Sequence, residues 1–235
     1  MLISNYQSRI ERTLLKTKLI LQFLREESWS DVVVLKMITG LSSSGIYKTI
    51  NQMQSQGLIE IYKIFELQSR VIGITQLGIL ASFDDENDFI PFKHFEISKF
   101  KTLLASHHLG LQRARLNAMN ANWTNWKLGK HLQINWGNKP DAMVINTSGE
   151  KIAVELERTI KTRKRYEKIF SIYLQACSRN DLDFIDYVCL DNVFAHRLEK
   201  LFNSIRQIPV AGKRVTISQK HRDRIRIYCI NNWPN

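Results

Sequence analysis

The stretch KIAVELE, residues 151–157, constrains the chain more tightly than any other. Its strict alternation predicts a strand with Ile152, Val154 and Leu156 on one face and Ala153, Glu155 and Glu157 on the other. Two carboxylates on one side of a strand repel each other unless something positive lies between them. The turn Thr147-Ser148-Gly149 joins this strand to one predicted over 141–146, which Asp141 opens directly after Pro140. Asp141 can therefore converge on the two glutamates. Three clustered acids are the hard oxygen donors that Mg²⁺ or Mn²⁺ requires, and Asp141, Glu155 and Glu157 are the candidate metal ligands and catalytic residues. A Glu-x-Glu pair also occurs as a solvated edge, so the context has to decide.

That context is basic. RTIKTRKRYEK, residues 158–168, holds six Lys/Arg and one acid at the start of a predicted helix over 160–178. Helical spacing brings Lys161, Lys164, Arg165 and Lys168 close to one face, near enough to meet a phosphate and the carboxylates. A solvated basic face is the plainer alternative. Arg163, Lys164 and Arg165 are candidate DNA contacts. The segment 212–226 adds another six Lys/Arg against one acid around a predicted loop and edge, with Lys213 and Arg214 as candidate phosphate contacts.

Charge is uneven along the 235 residues, whose formal net charge is +12. Residues 1–83 carry nine Lys/Arg against six Asp/Glu, and residues 91–235 carry 25 against 12. Between them Asp84, Asp85, Glu86 and Asp88 form an acidic run, read as a linker over 84–90. Two domains, 1–83 and 91–235, are expected. A surplus of this size points to a polyanionic partner.

In the first domain apolar residues recur at helical spacing from Ile10 to Leu21, and a second helix runs from Ser30 or Asp31 to just before Gly40. Serines 42–44 cap a third helix that Gly57 ends, and Leu58–Ile64 and Val71–Thr75 read as a hairpin with its tip near Gln68 to Arg70. Three helices and then a hairpin is the layout of a winged helix-turn-helix. Its third helix would enter the major groove and present Ser44, Tyr47, Lys48 and Asn51. A protein-binding or dimerising role for the domain stays open.

The second domain is expected to be α/β, with strands at 131–136, 141–146, 151–157, 184–190 and 225–230 and helices at 96–120, 160–178 and 193–206. KPDAMVINTSGEKIAVELE resembles the PD-(D/E)XK nuclease signature, with Pro140-Asp141 as its first half and Glu155-Leu156-Glu157 as its second. Glu157 stands where that signature usually has lysine; the resemblance implies that Lys161, or else Lys164 or Lys168, supplies the cation. More narrowly, the chain resembles the MobC-type relaxases of mobilisable plasmids and the related replication-relaxation proteins. These pair an N-terminal winged helix with a PD…ExE domain and a Lys/Arg/Tyr-rich helix. The resemblance implies a metal-dependent endonuclease that nicks one strand of double-stranded DNA at a transfer origin. Single-stranded DNA and accessory relaxosome and coupling proteins are its further implied partners. Tyr166 and Tyr173 are candidates for a covalent link to the nicked strand. The rivals are a non-catalytic DNA-binding regulator or replication accessory protein on a degenerate nuclease fold, and a double-strand endonuclease of a restriction or transposition system.

Other features carry less. His107 or His108 could assist with metal or protons, though a surface role is the simpler reading. Trp123, Trp126 and Trp136 could stack on unpaired bases or fill the core. Cys177, Cys189 and Cys229 are odd in number and lie far apart, which suits a reducing cytoplasm. No apolar run has the length of a membrane span, and Arg9, Glu11 and Arg12 stand where a signal peptide needs apolar residues.

Overall fold

The computed structural model describes residues 6–67, 69–83 and 92–234. The acidic run at 84–90 lies outside the described residues. The chain is mixed α/β and divides into two compact units, Met1–Gln112 and Arg113–Asn235. No helix among the described residues is long and apolar enough to cross a membrane.

The first unit begins with α1 (Tyr6–Glu27), β1 (Trp29–Asp31), α2 (Val32–Thr39) and α3 (Ser43–Ser55). It continues with β2 (Ile59–Lys63), β3 (Arg70–Ile74) and the short α4 (Gln76–Leu80). Asp31 caps α2 by accepting from the Val34 amide at 2.8 Å, and Gly40 ends that helix in the left-handed region at φ 63°. Ser42 caps α3 by accepting from the Gly45 amide at 3.2 Å. The three strands pair antiparallel in the order β1-β3-β2. Ile20, Leu24, Leu35, Ile46, Ile50, Met53, Ile59, Ile72 and Ile74 are all buried. Each such side chain contributes about 1.5–3 kcal/mol. The expected hairpin is present; β1 and α4 were not expected from the sequence.

The division between the units falls inside α5 (Thr102–Asn120), which a 3₁₀ turn at Ile97–Lys99 precedes. The second unit then contains β4 (Thr124–Leu128), β5 (Ala142–Ile145), β6 (Lys151–Glu157), α6 (Arg163–Ser178) and β7 (Phe184–Cys189). It ends with α7 (Asn192–Ser204), β8 (Gln207–Val210), β9 (Lys213–Thr216), α8 (Gln219–Arg222) and β10 (Ile225–Cys229). Its five-stranded sheet has the order β10-β7-β6-β5-β4. Strands β4, β5 and β6 pair antiparallel, whereas β6, β7 and β10 pair parallel. β6 is thus the central strand, and Ile152, Ala153, Val154 and Leu156 are buried on both of its faces.

Several boundaries differ from expectation. Residues 131–136 are not a strand: a 3₁₀ turn occupies Gly129–His131, and the sheet partner of β5 is β4, upstream. α6 starts at Arg163 behind its cap Thr162, which leaves Lys161 outside the helix. The basic segment 212–226 is ordered as β9, α8 and the start of β10, and β8 and β9 form a separate antiparallel hairpin.

Aromatic rings build the core that covers β6 and β7. Phe202 of α7 meets Tyr166, Phe170 and Tyr187 edge-on, with centroids 4.9, 4.7 and 4.8 Å away. Replacing Phe202 with Ala removes all three contacts and leaves a cavity, which costs about 3–5 kcal/mol. Urea unfolding of Phe202→Ala followed by far-ultraviolet circular dichroism should show that loss, and a midpoint unchanged from the parent would contradict this packing.

Candidate active site

Register determines what β6 presents. Ala142 pairs with Val154 and Met143 with Ala153, so Asp141, one residue before β5, stands opposite Glu155. On the parallel side Glu155 lies beside Tyr187 and Glu157 beside Cys189. Directly opposed residues share a face, so Glu155, Glu157 and Tyr187 all point to the side that α6 covers. The sequence expectation of both glutamates on one face holds. That face is not solvated, however: Glu157 is 3% exposed and Glu155 half-buried.

Each carboxylate has a defined environment. Asp141 Oδ2 accepts from the Leu156 amide at 2.8 Å, which fastens the start of β5 to β6. Gly129 secures the same point from the other side. Its amide donates to the Asp141 carbonyl at 2.7 Å, and a Cβ there would come within 2.1 Å of the Pro140 carbonyl oxygen. Only glycine allows that approach. Glu155 Oε1 accepts from the Tyr173 hydroxyl, while Asn138 Nδ2 reaches the Tyr173 hydroxyl at 2.8 Å and Glu155 Oε1 at 3.4 Å. Glu157 is ion-paired with Lys161. Lys161 Nζ also lies 5.6 Å from the Tyr166 ring centroid, and its backbone amide donates to the Tyr166 hydroxyl at 3.2 Å.

Electrostatics follow from this crowding. Burial and then the facing Asp141 charge push the Glu155 carboxyl up to about 8, against the opposing pull of the Tyr173 hydrogen bond and Lys161. Tyr187 is 1% exposed, and its hydroxyl has no hydrogen-bond partner among the described residues. Burial raises that phenol well above its usual range, and the nearby Glu155 and Glu157 charges raise it further. The face therefore combines repelling carboxylates with an unused polar atom.

Among the described residues no group of three or more His, Cys, Asp and Glu is arranged to hold a metal ion. A pair remains. Asp141 and Glu155 are opposed hard oxygen donors whose repulsion a cation would relieve, and Mg²⁺ is commonly bound through one or two carboxylates with water completing its shell. Glu157 is committed to Lys161 instead.

The other candidates divide. Ser44, Tyr47, Lys48 and Asn51 all lie exposed on one side of α3, while Ile46, Thr49, Ile50 and Met53 of the same helix are buried. Lys164 and Arg165 are exposed on α6, as is Lys213 on β9. Arg163 and Arg214 converge on Glu167, at 3.1 and 2.8 Å, and hold its carboxyl below the usual range, Arg214 more strongly. Tyr166 and Tyr173 are both 0% exposed, so neither phenol is presented to a phosphodiester. His108 packs on Trp29 at 4.6 Å with Glu27 Oε2 at 3.6 Å, within the first unit. Gly129, Asn138 and Tyr187 escaped the sequence reading, because nothing local marks them; only the pairing of β6 with β5 and β7 and the packing of distant segments bring them to the carboxylates. Compared with family models, with curated proteins and with solved structures, the chain matches none.

Two outcomes are expected. A carboxyl whose pKa is raised by folding holds a proton that the unfolded chain has already lost, so it lowers stability as pH rises from about 4.5 toward about 8. With a chelator present, Glu155→Gln should therefore raise the melting temperature by a few degrees at pH 8 and by less at pH 5. Parallel pH profiles for parent and variant would contradict the assignment. Gly129→Ala should lower stability by about 1–3 kcal/mol in urea, with Gly129→Val losing more, since each forces β5 away from its contact.

Proposed function

We propose that this chain is a metal-dependent DNA endonuclease of the mobilisation-relaxase type, which nicks one strand at a plasmid transfer origin. In this reading the first unit is a winged helix that selects the site through the exposed side of α3. The second is a restriction-endonuclease-like domain that cuts. The observation that carries the reading is Asp141 facing Glu155 across β5 and β6, with Lys161 reaching the same face from the residues just before α6.

Asp141 and Glu155 would hold Mg²⁺ or Mn²⁺. When bound, such an ion supplies Lewis acidity and positive charge at the scissile phosphate. Glu157 holds Lys161 toward the strand face, so that the ammonium can meet negative charge developing on the phosphate. Lys164, Arg165 and Lys168 extend the cationic surface along the exposed side of α6, where phosphates of the flanking duplex would lie. Burial of Tyr166 and Tyr173 favours hydrolysis by water over a tyrosyl link, and the nicked product is expected to carry no attached protein. Relaxosome accessory and coupling proteins would then act on the nicked complex.

A second reading has its own support. Glu155 is engaged by Tyr173 and Asn138, and Glu157 by Lys161, as in a fold whose carboxylates serve only its own structure. Such a protein would be a DNA-binding regulator or replication accessory factor without cleavage. Conversion of supercoiled plasmid to open circles in Mg²⁺ or Mn²⁺ separates the two. Loss of metal stabilisation is worth several kcal/mol, so Asp141→Ala/Glu155→Ala should cut nicking on the order of a hundredfold or more. Unaltered nicking by that double variant would sink the endonuclease reading, and accumulation of linear DNA would mark a double-strand cutter instead.

A further inference from the structure

The second unit has a large open groove of about 1120 Å³ whose walls the carboxylate chemistry does not use. Its floor is the outer part of the sheet on the same face as Glu155. Lys127 pairs with Met143, Met143 with Ala153, and Ile145 with Lys151, so these residues all point to the side of β6 that carries Glu155 and Glu157. One wall is the end of α6, with Gln175 and the adjoining Arg179; the other is the segment 131–136, with Gln133 and Trp136. Lys127, Lys151, Gln133, Gln175 and Arg179 are exposed, and Trp136 is half-exposed. The acid among the lining residues, Asp181, is held by Arg179 at 2.9 Å.

One wall of the groove packs against a residue that holds Glu155. Trp136 meets Tyr173 edge-on at 6.4 Å, and Tyr173 holds Glu155. Along β6, Lys151 and Glu155 are four residues apart, about 13 Å. We infer that this groove binds a single strand of nucleic acid and leads it to or from the Asp141–Glu155 centre. Lys127, Lys151 and Arg179 contact successive phosphates, and a base stacks on the exposed part of Trp136.

Three features select a single strand. Exposed cations beside an aromatic ring are the elements with which proteins hold unpaired strands, whose bases offer free faces for stacking. A pocket of roughly 300–1,000 Å³ takes a drug-sized ligand, so the groove has room for about two nucleotides of an unpaired strand. Amide side chains on both walls can meet base edges without demanding one sequence. The inference rests on nucleic acid being what the carboxylate centre acts on, yet its test does not require cleavage.

The test is anisotropy of a fluorescein-labelled oligothymidylate of about twelve nucleotides with the whole chain, in chelator, at several salt concentrations. Lys127→Glu/Lys151→Glu should bind this strand at least tenfold more weakly. Its salt slope should fall by about 1.4, the value for two lost phosphate contacts on a single strand. Binding to a duplex of equal length should change less than threefold. Trp136→Leu should lose about tenfold on the single strand with its salt slope intact, since stacking is not ionic. The double charge variant alters exposed residues only, and an unchanged melting curve would verify its fold. Single-strand affinity within twofold of the parent in the charge variant overturns the inference. So does an equal loss on duplex, or displacement of the oligonucleotide by polyglutamate at equal charge concentration. Retained oligothymidylate binding together with absent plasmid nicking leaves the groove standing and removes the endonuclease reading; nicking with no groove effect does the reverse.

Discussion

Two glutamates on the inner face of a central strand impose the constraint around which the second unit is organised. A buried carboxylate without partners costs several kcal/mol, and two on one face add mutual repulsion. The fold answers each differently. Glu157 receives Lys161, and the lysine's own backbone amide is fastened to the Tyr166 hydroxyl. Glu155 receives only neutral donors, Tyr173 and Asn138, and faces another acid in Asp141. Its charge is therefore incompletely compensated, unlike that of Glu157. The asymmetry sets the two apart chemically: the neutralised glutamate positions a cation, and the frustrated one would be relieved by a cation from outside, as the proposed metal role requires.

The same constraint explains the aromatic content of this core. Tyr166, Tyr173 and Tyr187 bring a large apolar body for packing and a polar end that can approach a carboxylate. Phenylalanine in place of Tyr173 would preserve the ring contact with Trp136 and leave Glu155 without its closest donor. The tyrosines of the basic helix, attractive in sequence as nucleophiles, thus serve the carboxylates from beneath. Asp186 shows the contrasting solution. Fully buried on β7, it takes a bidentate Arg226 at 2.7 and 3.1 Å and the Trp233 indole at 2.8 Å, and so ties the last strand and the chain end to the sheet.

What could be read from sequence was whatever depends on local periodicity. The alternation of KIAVELE gave β6 and its two faces, and the outward side of α3 followed from helical spacing. The same periodicity misled at 131–136. Leu132, Ile134 and Trp136 alternate as in a strand and do turn inward, but they pack as the wall of a groove with no ladder partner. The true edge strand is poor in apolar residues, carries a register shift between Thr124 and Lys127, and has Asn125 at φ 56°, so its pattern is broken. The helix that the sequence predicts over 160–178 takes in Lys161, which the structure leaves outside it. Thr162, a capping residue followed by three cations, was the signal that the helix begins one residue later. Contacts such as Gly129 with Pro140, or Asn138 with Tyr173, have no signature in the chain, because they arise only when two distant segments close on each other.

Charge is the quantity most easily over-read from sequence. The surplus of positive residues after position 91 fixes the sign of the field but not where a phosphate will sit. Arg163 and Arg214 already share Glu167, Arg226 is spent on Asp186, and Lys161 on Glu157. Exposed pairs such as Arg179–Asp181 are weak enough to be rearranged by a phosphate, whereas the Arg226–Asp186 pair is not, because breaking it would strand a buried charge. Cations still available to a polyanion include Lys164, Arg165 and Lys168 on α6, Lys213 on β9, Lys127 and Lys151 on the open part of the sheet, and Arg179 at the end of α6. Those on the sheet stand on the same face as Glu155, which makes the strand face of the second unit, more than its overall charge, the determinant of how a nucleic-acid strand would meet the carboxylates.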